Sequence, residues 1–399
     1  MPQVIIFRER LLSPSETFIV EQAQALRRYR PVLAGLRRLS PSLVHDIPEE
    51  LLTQHAGMRG KLAANLYRNL PLGRSFYRRL RQFSPSILHA HFATDAAQAL
   101  PIAIALRLPL VVSLHGYDVT TTDDAHARTA SGRHYLAHRQ ELLAQTSAFL
   151  CVSRFIRETA LAAGYPEEKL HLHYTGVDCE RFRPARIPRD PNLVLFVGRL
   201  VEKKGCEFLL RAMALVQQQH PRAYLEIIGD GPLRTQLEAL AQKLDVRTDF
   251  RGVQAPAEVQ RSMSRARIVC NPSVTASSGD AEGFGMIFAE AQALGTPVVS
   301  TLHAAIPEAV SHGVTGLLCP EREPQPLADA LLLYLNDDTL WSASSERAVA
   351  WVRQHFDLNV QTRKLEAIYD TCLERRQRIS TLPRTGHPAR PPIPAPILD

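Results

Sequence analysis

Short apolar runs alternate with stretches of helical spacing along most of the chain. Runs at 4–7, 31–36, 87–91, 110–114, 149–153 and 170–174 have the length and composition of strands. Between several of them, 16–30, 96–106 and 133–146 carry apolar residues at helical period. The pattern then repeats. Strands are predicted at 194–198, 223–229, 248–250, 268–271, 297–300 and 316–319, with helices at 206–219, 233–244, 256–265, 285–294 and 327–336. Such alternation predicts parallel strands covered by helices on both faces. Between the halves, 181–191 reads RFRPARIPRDP. Its three prolines fix φ and remove donor N–H groups, which predicts an extended linker. The expected architecture is α/β: two doubly wound, Rossmann-like domains, 1–185 and 191–358, facing across a cleft. A helix over 359–378 is expected to cross back to the first domain. The Pro-rich segment 380–399 has no period and is expected to be disordered.

A chain of 399 residues is long enough for two separate cores. Its 45% hydrophobic and 22% charged content is that of an ordinary globular protein. The net charge of +7 asks for an anionic partner: nucleotide phosphates, a phospholipid surface or nucleic acid. No nucleic-acid recognition motif accompanies the charge, so nucleic acid is not expected. The six cysteines form no CxxC pair and no zinc-like spacing, and read as small buried hydrophobes. The first apolar run ends at Arg8, too early for a signal-peptide core. No stretch reaches the roughly 18 apolar residues of a membrane span. These features fit a cytoplasmic protein.

The candidate chemistry is concentrated in the second half. Glu282-Gly283-Phe284-Gly285-Met286-Ile287-Phe288-Ala289-Glu290 places two glycines directly before a helical pattern. Glycine allows close backbone approach, and a helix starting there aims free N–H groups at an anion. Glu282 falls in the loop and Glu290 inside the helix, so the two acids can grip separate hydroxyl groups. Taken alone, an acid near a helix start is also an ordinary cap. The turn Gly198-Arg199-Leu200-Val201-Glu202-Lys203-Lys204-Gly205 follows a strand and places Arg199 and Lys204 to neutralise a diphosphate. A solvated basic turn has the same composition. Gly229-Asp230-Gly231-Pro232 also follows a strand and fits either a turn near a nucleotide or a plain turn. Arg234 stands where a dinucleotide fingerprint needs its third glycine, which argues against an NAD(P)-dependent oxidoreductase.

GRLVEKKG, then IIGDGPLR, then EGFGMIFAEAQALGTPVVST together resemble the donor half of family-4 retaining glycosyltransferases of the GT-B fold. The resemblance covers roughly residues 1–375. It implies a hexosyltransferase using a UDP- or GDP-sugar donor, with no metal or other cofactor. By resemblance, Arg199 and Lys204 bind the diphosphate, Glu282 contacts the donor sugar and Glu290 binds the ribose. Backbone N–H groups of Gly283, Phe284, Gly285 and Met286 hold phosphate or sugar, and the base lies near Arg251 and Val253. In the first half, Leu114-His115-Gly116-Tyr117-Asp118 is similar to the family's HG-D segment. His115 is then the first catalytic candidate, with Asp118 orienting it or capping the next helix. His89 and His91 end another strand and are candidates for the acceptor side.

One segment departs from the family. Many members have a glycine-rich loop after the first strand, where this chain reads LLSPSETF. Ser15, Glu16 and Thr17 either cap the first helix or face the acceptor. A similar SETF occurs in relatives that build exopolysaccharides of the colanic-acid type. A polyprenyl-linked saccharide is therefore the expected acceptor. From 51 to 94 there is no Asp or Glu, while Arg59, Lys61, Arg68, Arg74, Arg78, Arg79 and Arg81 alternate with Leu62, Leu66, Leu70, Phe76, Tyr77, Leu80 and Phe83. Such a segment suits peripheral contact with an anionic leaflet, on the inner face of the plasma membrane. An ordinary helix pair with a solvated basic face reads the same way. The rival on the same fold is a nucleotide-sugar epimerase. Oligomeric state is not legible in the sequence.

Overall fold

The structure, a computed structural model, describes residues 1–13, 16–39, 45–55, 57–69, 73–185 and 187–381. Two parallel sheets carry the fold. The first is built from β1 (Gln3–Leu11), β2 (Arg30–Arg38), β3 (Glu49–Leu51), β4 (Pro85–His91), β5 (Leu110–Leu114), β6 (Ala148–Cys151) and β7 (Leu170–Leu172), in the order β3-β2-β1-β4-β5-β6-β7. The second contains β8 (Leu193–Val197), β9 (Tyr224–Ile228), β10 (Thr248–Gly252), β11 (Ile268–Cys270), β12 (Val298–Thr301) and β13 (Gly316–Cys319), in the order β10-β9-β8-β11-β12-β13. In each sheet the first strand lies between its successor and a later strand. The strand order therefore reverses between β1 and β4, and again between β8 and β11. Open α/β sheets bind ligands beyond the carboxyl ends of the strands at such switch points.

The helices of the first half are α1 (Thr17–Ala25), α2 (Gly57–Asn69), α3 (Arg74–Gln82), α4 (Ala93–Leu106), α5 (Tyr117–Thr120), α6 (Asp123–Ala127), α7 (Ala130–Gln145) and α8 (Arg154–Ala162). The second half has α9 (Cys206–Gln219), α10 (Arg234–Lys243), α11 (Pro256–Arg265), α12 (Met286–Ala293), α13 (Ile306–Ala309), α14 (Pro324–Asn336) and α15 (Asp338–His355). The last helix, α16 (Leu358–Thr381), returns to the first sheet. Helix α1 stops at Ala25, short of the expected 30, because the chain must already be extended at Arg30 to pair with Gln3. Its N-cap Glu16 makes no capping bond. The carboxylate instead accepts from Arg8 and from the Ser13 N–H. Ser15 and the tail 382–399 lie outside the described residues. All six cysteines are buried and unpaired.

Strands buried on both faces read as continuous apolar runs, and β5 (LVVSL) and β8 (LVLFV) do so. One face of the first sheet packs Ile5, Phe7, Leu88 and Val112 against α4 and α7. The other packs Val4, Ile6, Ile87 and Val111 with Ile19 of α1 and Leu365 and Tyr369 of α16. The chain passes between the halves twice, and the passages are stitched together. Val177 N–H donates to the Phe356 carbonyl and Leu358 N–H donates to that of Val177.

Glu366 fixes α16 to the first half. Only 1% exposed, its carboxylate accepts the Arg27 and Arg28 N–H groups at 2.7 and 2.6 Å and pairs with the Arg28 guanidinium. Glu366→Ala leaves two part-buried amide donors without their acceptor and removes an ion pair, a loss of about 2 kcal/mol. The thermal midpoint followed by circular dichroism should fall by roughly 4–8 °C. An unchanged midpoint would show that α16 is not held there.

Candidate active site

The loops that follow β8 and β11, the strands at the second switch point, carry the motif residues. Two lysines tie these loops together. Lys203 Nζ donates to Asp280 at 2.9 Å and Lys204 Nζ to Glu282 at 2.5 Å. Burial would raise the Glu282 carboxyl, but the charges of Lys204 and Lys203 overcome it and hold it down at about 2. Glu282 is therefore an anion at any physiological pH. Its N–H donates to His303 Nε2, so the His303 proton sits on Nδ1 and faces Glu321 at 2.6 Å. Arg199 is exposed and has no ion pair among the described residues.

Gly285 takes φ +79° and starts α12. The N–H groups of Gly283, Phe284, Gly285 and Met286 donate to no acceptor among the described residues. They form, with the helix dipole, a ready anion site. The Phe284 ring does not point to a ligand. It is buried in an aromatic cluster with Tyr174 and Phe356 at 5.7 and 4.9 Å, where the chain passes between the halves. Its contribution to a site is its backbone.

The first half supplies the opposite wall. His115 and Gly116 lie directly against Gly283, where a Cβ would sit within 2 Å of the His115 carbonyl oxygen. Glycine is the one residue that fits there. Thr120 Oγ1 accepts from Ala281 N–H, and Thr122 N–H donates to the Ser278 carbonyl across the same seam. Glu308 of α13 accepts the Arg154 and Phe155 N–H groups at the start of α8, a helix cap delivered from the other half. Nothing local in the sequence marks Glu308, Lys203 or Asp280 for these contacts.

The His115 imidazole is boxed by Phe92, Phe18 and His91 at 4.6, 5.1 and 5.2 Å between ring centres. His91 Nδ1 lies 2.9 Å from His115 Nε2. Burial first, then the Arg8 charge, push the His115 pKa well below its usual value, so the ring is neutral. Asp118 does not reach the imidazole. Its carboxylate, 1% exposed, accepts the N–H groups of His115, Gly116 and Ala93. It holds the loop and has no face left for a substrate. His89 is likewise a core residue, with Tyr369 Oη and Ser113 Oγ at 2.6 and 2.8 Å from its two nitrogens.

Two further segments of the second half are placed by the structure. The Arg251 side chain turns inward to Glu226 at 2.9 Å and Glu258 at 3.3 Å, which leaves the exposed Val253 beside it open to solvent. Gly229, at φ +137°, is required by the Gly198 carbonyl, which a Cβ there would strike. The Gly-Asp-Gly turn thus supports the GRL turn from beneath. A cavity of about 550 Å3 lies at the amino ends of β1 and β2, lined by Gln3, Arg30, Asp46 and Phe83, away from all these residues.

Glu290 is half-buried and faces Glu21 of α1 and Arg181 across the cleft. Burial and Glu21 raise it to about 7, against the pull of Arg181. Raised above its unfolded value, this carboxyl binds more protons in the folded state, so it lowers stability as pH rises from about 4.5 to about 7. Glu290→Gln should melt above the parent at pH 8 and coincide with it near pH 4. Equal melting curves at both pH values would mean that Glu290 is not held against Glu21.

Comparison with known proteins gives the family and the fold class. The family model for glycosyl transferases group 1 matches residues 179–351, and that for glycosyltransferase family 4 matches 15–181. The amylovoran biosynthesis glycosyltransferase AmsK of Erwinia amylovora is 32% identical over 298 residues, covering 73% of this chain and 71% of that protein. The putative colanic acid biosynthesis glycosyltransferase WcaL of Escherichia coli is 30% identical, covering 72% of this chain and 70% of its own. Among solved structures, Anabaena HepE in complex with UDP and glucose superposes with a TM-score of 0.75 at 20% identity, covering 93% of this chain and 100% of that one. Sucrose-phosphate synthase of Thermosynechococcus elongatus gives 0.76 at 18%, covering 94% and 100%. The fold is GT-B, and the chain belongs to the group 1 and family-4 glycosyltransferases.

Proposed function

We propose that this enzyme moves a hexose from a UDP- or GDP-sugar to a lipid-linked saccharide in exopolysaccharide synthesis, with retention of configuration. The observation that carries the reading is the meeting of Lys204, Glu282 and the free amides of Gly283–Met286 with His115 across one seam. The relatives named for amylovoran and colanic acid synthesis support the pathway class. HepE, solved with UDP and with UDP-glucose, supports a nucleotide-sugar donor.

In this reading Arg199, Lys204 and the amides at the start of α12 hold the diphosphate, and Glu290 accepts from the ribose hydroxyls. Glu282 orients the sugar. The acceptor hydroxyl approaches the anomeric carbon from the face the nucleotide leaves. The new C–O bond forms as the bond to phosphate breaks, and the departing phosphate oxygen takes the proton. Fixed cations and amide dipoles absorb the charge as it develops. Neutral His115 offers a hydrogen bond beside the anomeric centre and cannot act as an imidazolium acid. These cations also make metal-free turnover the expectation.

Isothermal titration with a panel of UDP-, GDP- and ADP-sugars should give one tight donor, weakened about 10- to 100-fold by Glu290→Ala. Turnover should survive EDTA. No binding by any donor, or loss of turnover that metal restores, would contradict the reading.

The basic segment of the first half is split by the fold. Phe76 and Leu80 are buried, and Arg68 and Arg79 turn inward to Glu9 and Glu50. Leu70 lies outside the described residues. Met58, Leu62 and Leu66 form an outward stripe on α2, exposed by 86, 59 and 40%, flanked by exposed Arg59 and Lys61. No described helix is long and apolar enough to cross a membrane. An interfacial helix of this kind lies on an anionic leaflet. The protein should float with anionic liposomes at low salt, and Leu62→Glu should release it. Flotation unaffected by that change would place the contact elsewhere.

A further inference from the structure

β1 and β2 end in a group of arginines: Arg8 and Arg10 on one strand, Arg37 and Arg38 on the next. Most of the neighbouring charge is already matched. Arg8 holds Glu16 at 2.6 Å and Asp95 at 2.5 Å. Arg68, reaching over from α2, holds Glu9 at 2.5 Å, and Arg38 pairs with Glu49. Arg10 and Arg37 are left. They are register partners on adjacent strands, and neither has an ion pair among the described residues.

The two differ in burial. Arg37 is 8% exposed, and its Nε has no hydrogen-bond partner among the described residues. Burial pushes its pKa down, Glu9 pulls it up, and the charges of Arg10 and Arg68 push it down again. Gly60 of α2 covers it, and a Cβ there would stand 3.4 Å from Arg37 Cδ. Arg10 is exposed. It is near enough to Tyr117 to bear on the phenol, as is Asp280 of the second half. Both arginines stand at the carboxyl ends of their strands, the same edge of the sheet from which the loop with His115 and Gly116 leaves β5.

A buried guanidinium with no ion pair of its own is costly. Such violations of local rules are expected where a ligand completes the site. The planar fork of arginine matches phosphate oxygens two at a time. The donor diphosphate already has Arg199, Lys204 and the α12 amides in the other half.

We propose that Arg10 and Arg37 form a second phosphate site, which binds the phosphates of a lipid-linked acceptor. This rests on the acceptor reading given under the proposed function. It adds to that reading which residues of this chain hold the acceptor, and by which group.

The test titrates inorganic pyrophosphate and farnesyl diphosphate into the full-length protein by calorimetry. Lys204→Ala weakens the donor site and leaves the arginine pair untouched. In that background, Arg37→Met or Arg10→Gln should weaken pyrophosphate about tenfold or more. Unchanged binding in both double variants overturns the proposal. Farnesyl diphosphate should bind more tightly than pyrophosphate, and equal or weaker binding overturns the assignment to a lipid-linked acceptor. Arg37→Met removes a buried charge that has no ion pair of its own, with little change in volume, so its thermal midpoint should match or exceed the parent's. A lower midpoint would make Arg37 a structural residue and also overturn the proposal. Failure of the parent to bind any nucleotide sugar would count against the donor reading alone, because pyrophosphate binding at the arginine pair requires no donor.

Discussion

The backbone of Gly283 rests against the carbonyl of His115 with no side chain between them. That contact sets the distance between the two halves. It brings the loop after β5, which carries the neutral His115, onto the loop after β11, which carries Glu282 and the row of free amides. The other contacts between the halves protect this one. Glu308 caps a helix of the opposite half, Phe284 is clamped between Tyr174 and Phe356, and α16 returns to the first sheet through Glu366.

Electrostatics then divides the cleft into unlike sides. Lys204 and Lys203 keep Glu282 ionised, while burial and Glu21 raise Glu290 to about 7, so that it is only part-ionised at neutral pH. Two glutamates on one loop-and-helix unit thus stand in different protonation states. Glu282 is already satisfied by a lysine, whereas Glu290 gains most from an arriving hydroxyl donor. On the other wall, burial and the Arg8 cation hold His115 unprotonated. A site that stabilises a leaving diphosphate needs such preset charges, because reorganising them during reaction would cost rate.

Much of this architecture is legible in the order of the amino acids. Strand and helix alternation marks both sheets, since parallel strands buried on two faces leave continuous apolar runs such as LVLFV and LVVSL. The linker prolines mark the boundary, and the glycines of EGFG mark the close approach at Gly283. What the sequence hides is long-range pairing. Asp118 looks like a partner for His115, yet three backbone N–H groups take its carboxylate. Arg251 looks like a free cation until Glu226, on the neighbouring strand, is placed beside it. Glu16 has the position of a helix cap, but Arg8 captures it. Arg251 and Glu16 each chose a partner on another element, and Asp118 joins its own loop to the Ala93 N–H of α4; no local period records those choices.

The central claim is that the donor diphosphate sits on the free amides at the start of α12, between the loops that follow β8 and β11. Hydrogen exchange read by mass spectrometry, with and without the nucleotide of the bound donor, addresses it directly. The account predicts slowed exchange in peptides covering 198–205 and 282–290. Nucleotide binding that leaves both segments unprotected would contradict it.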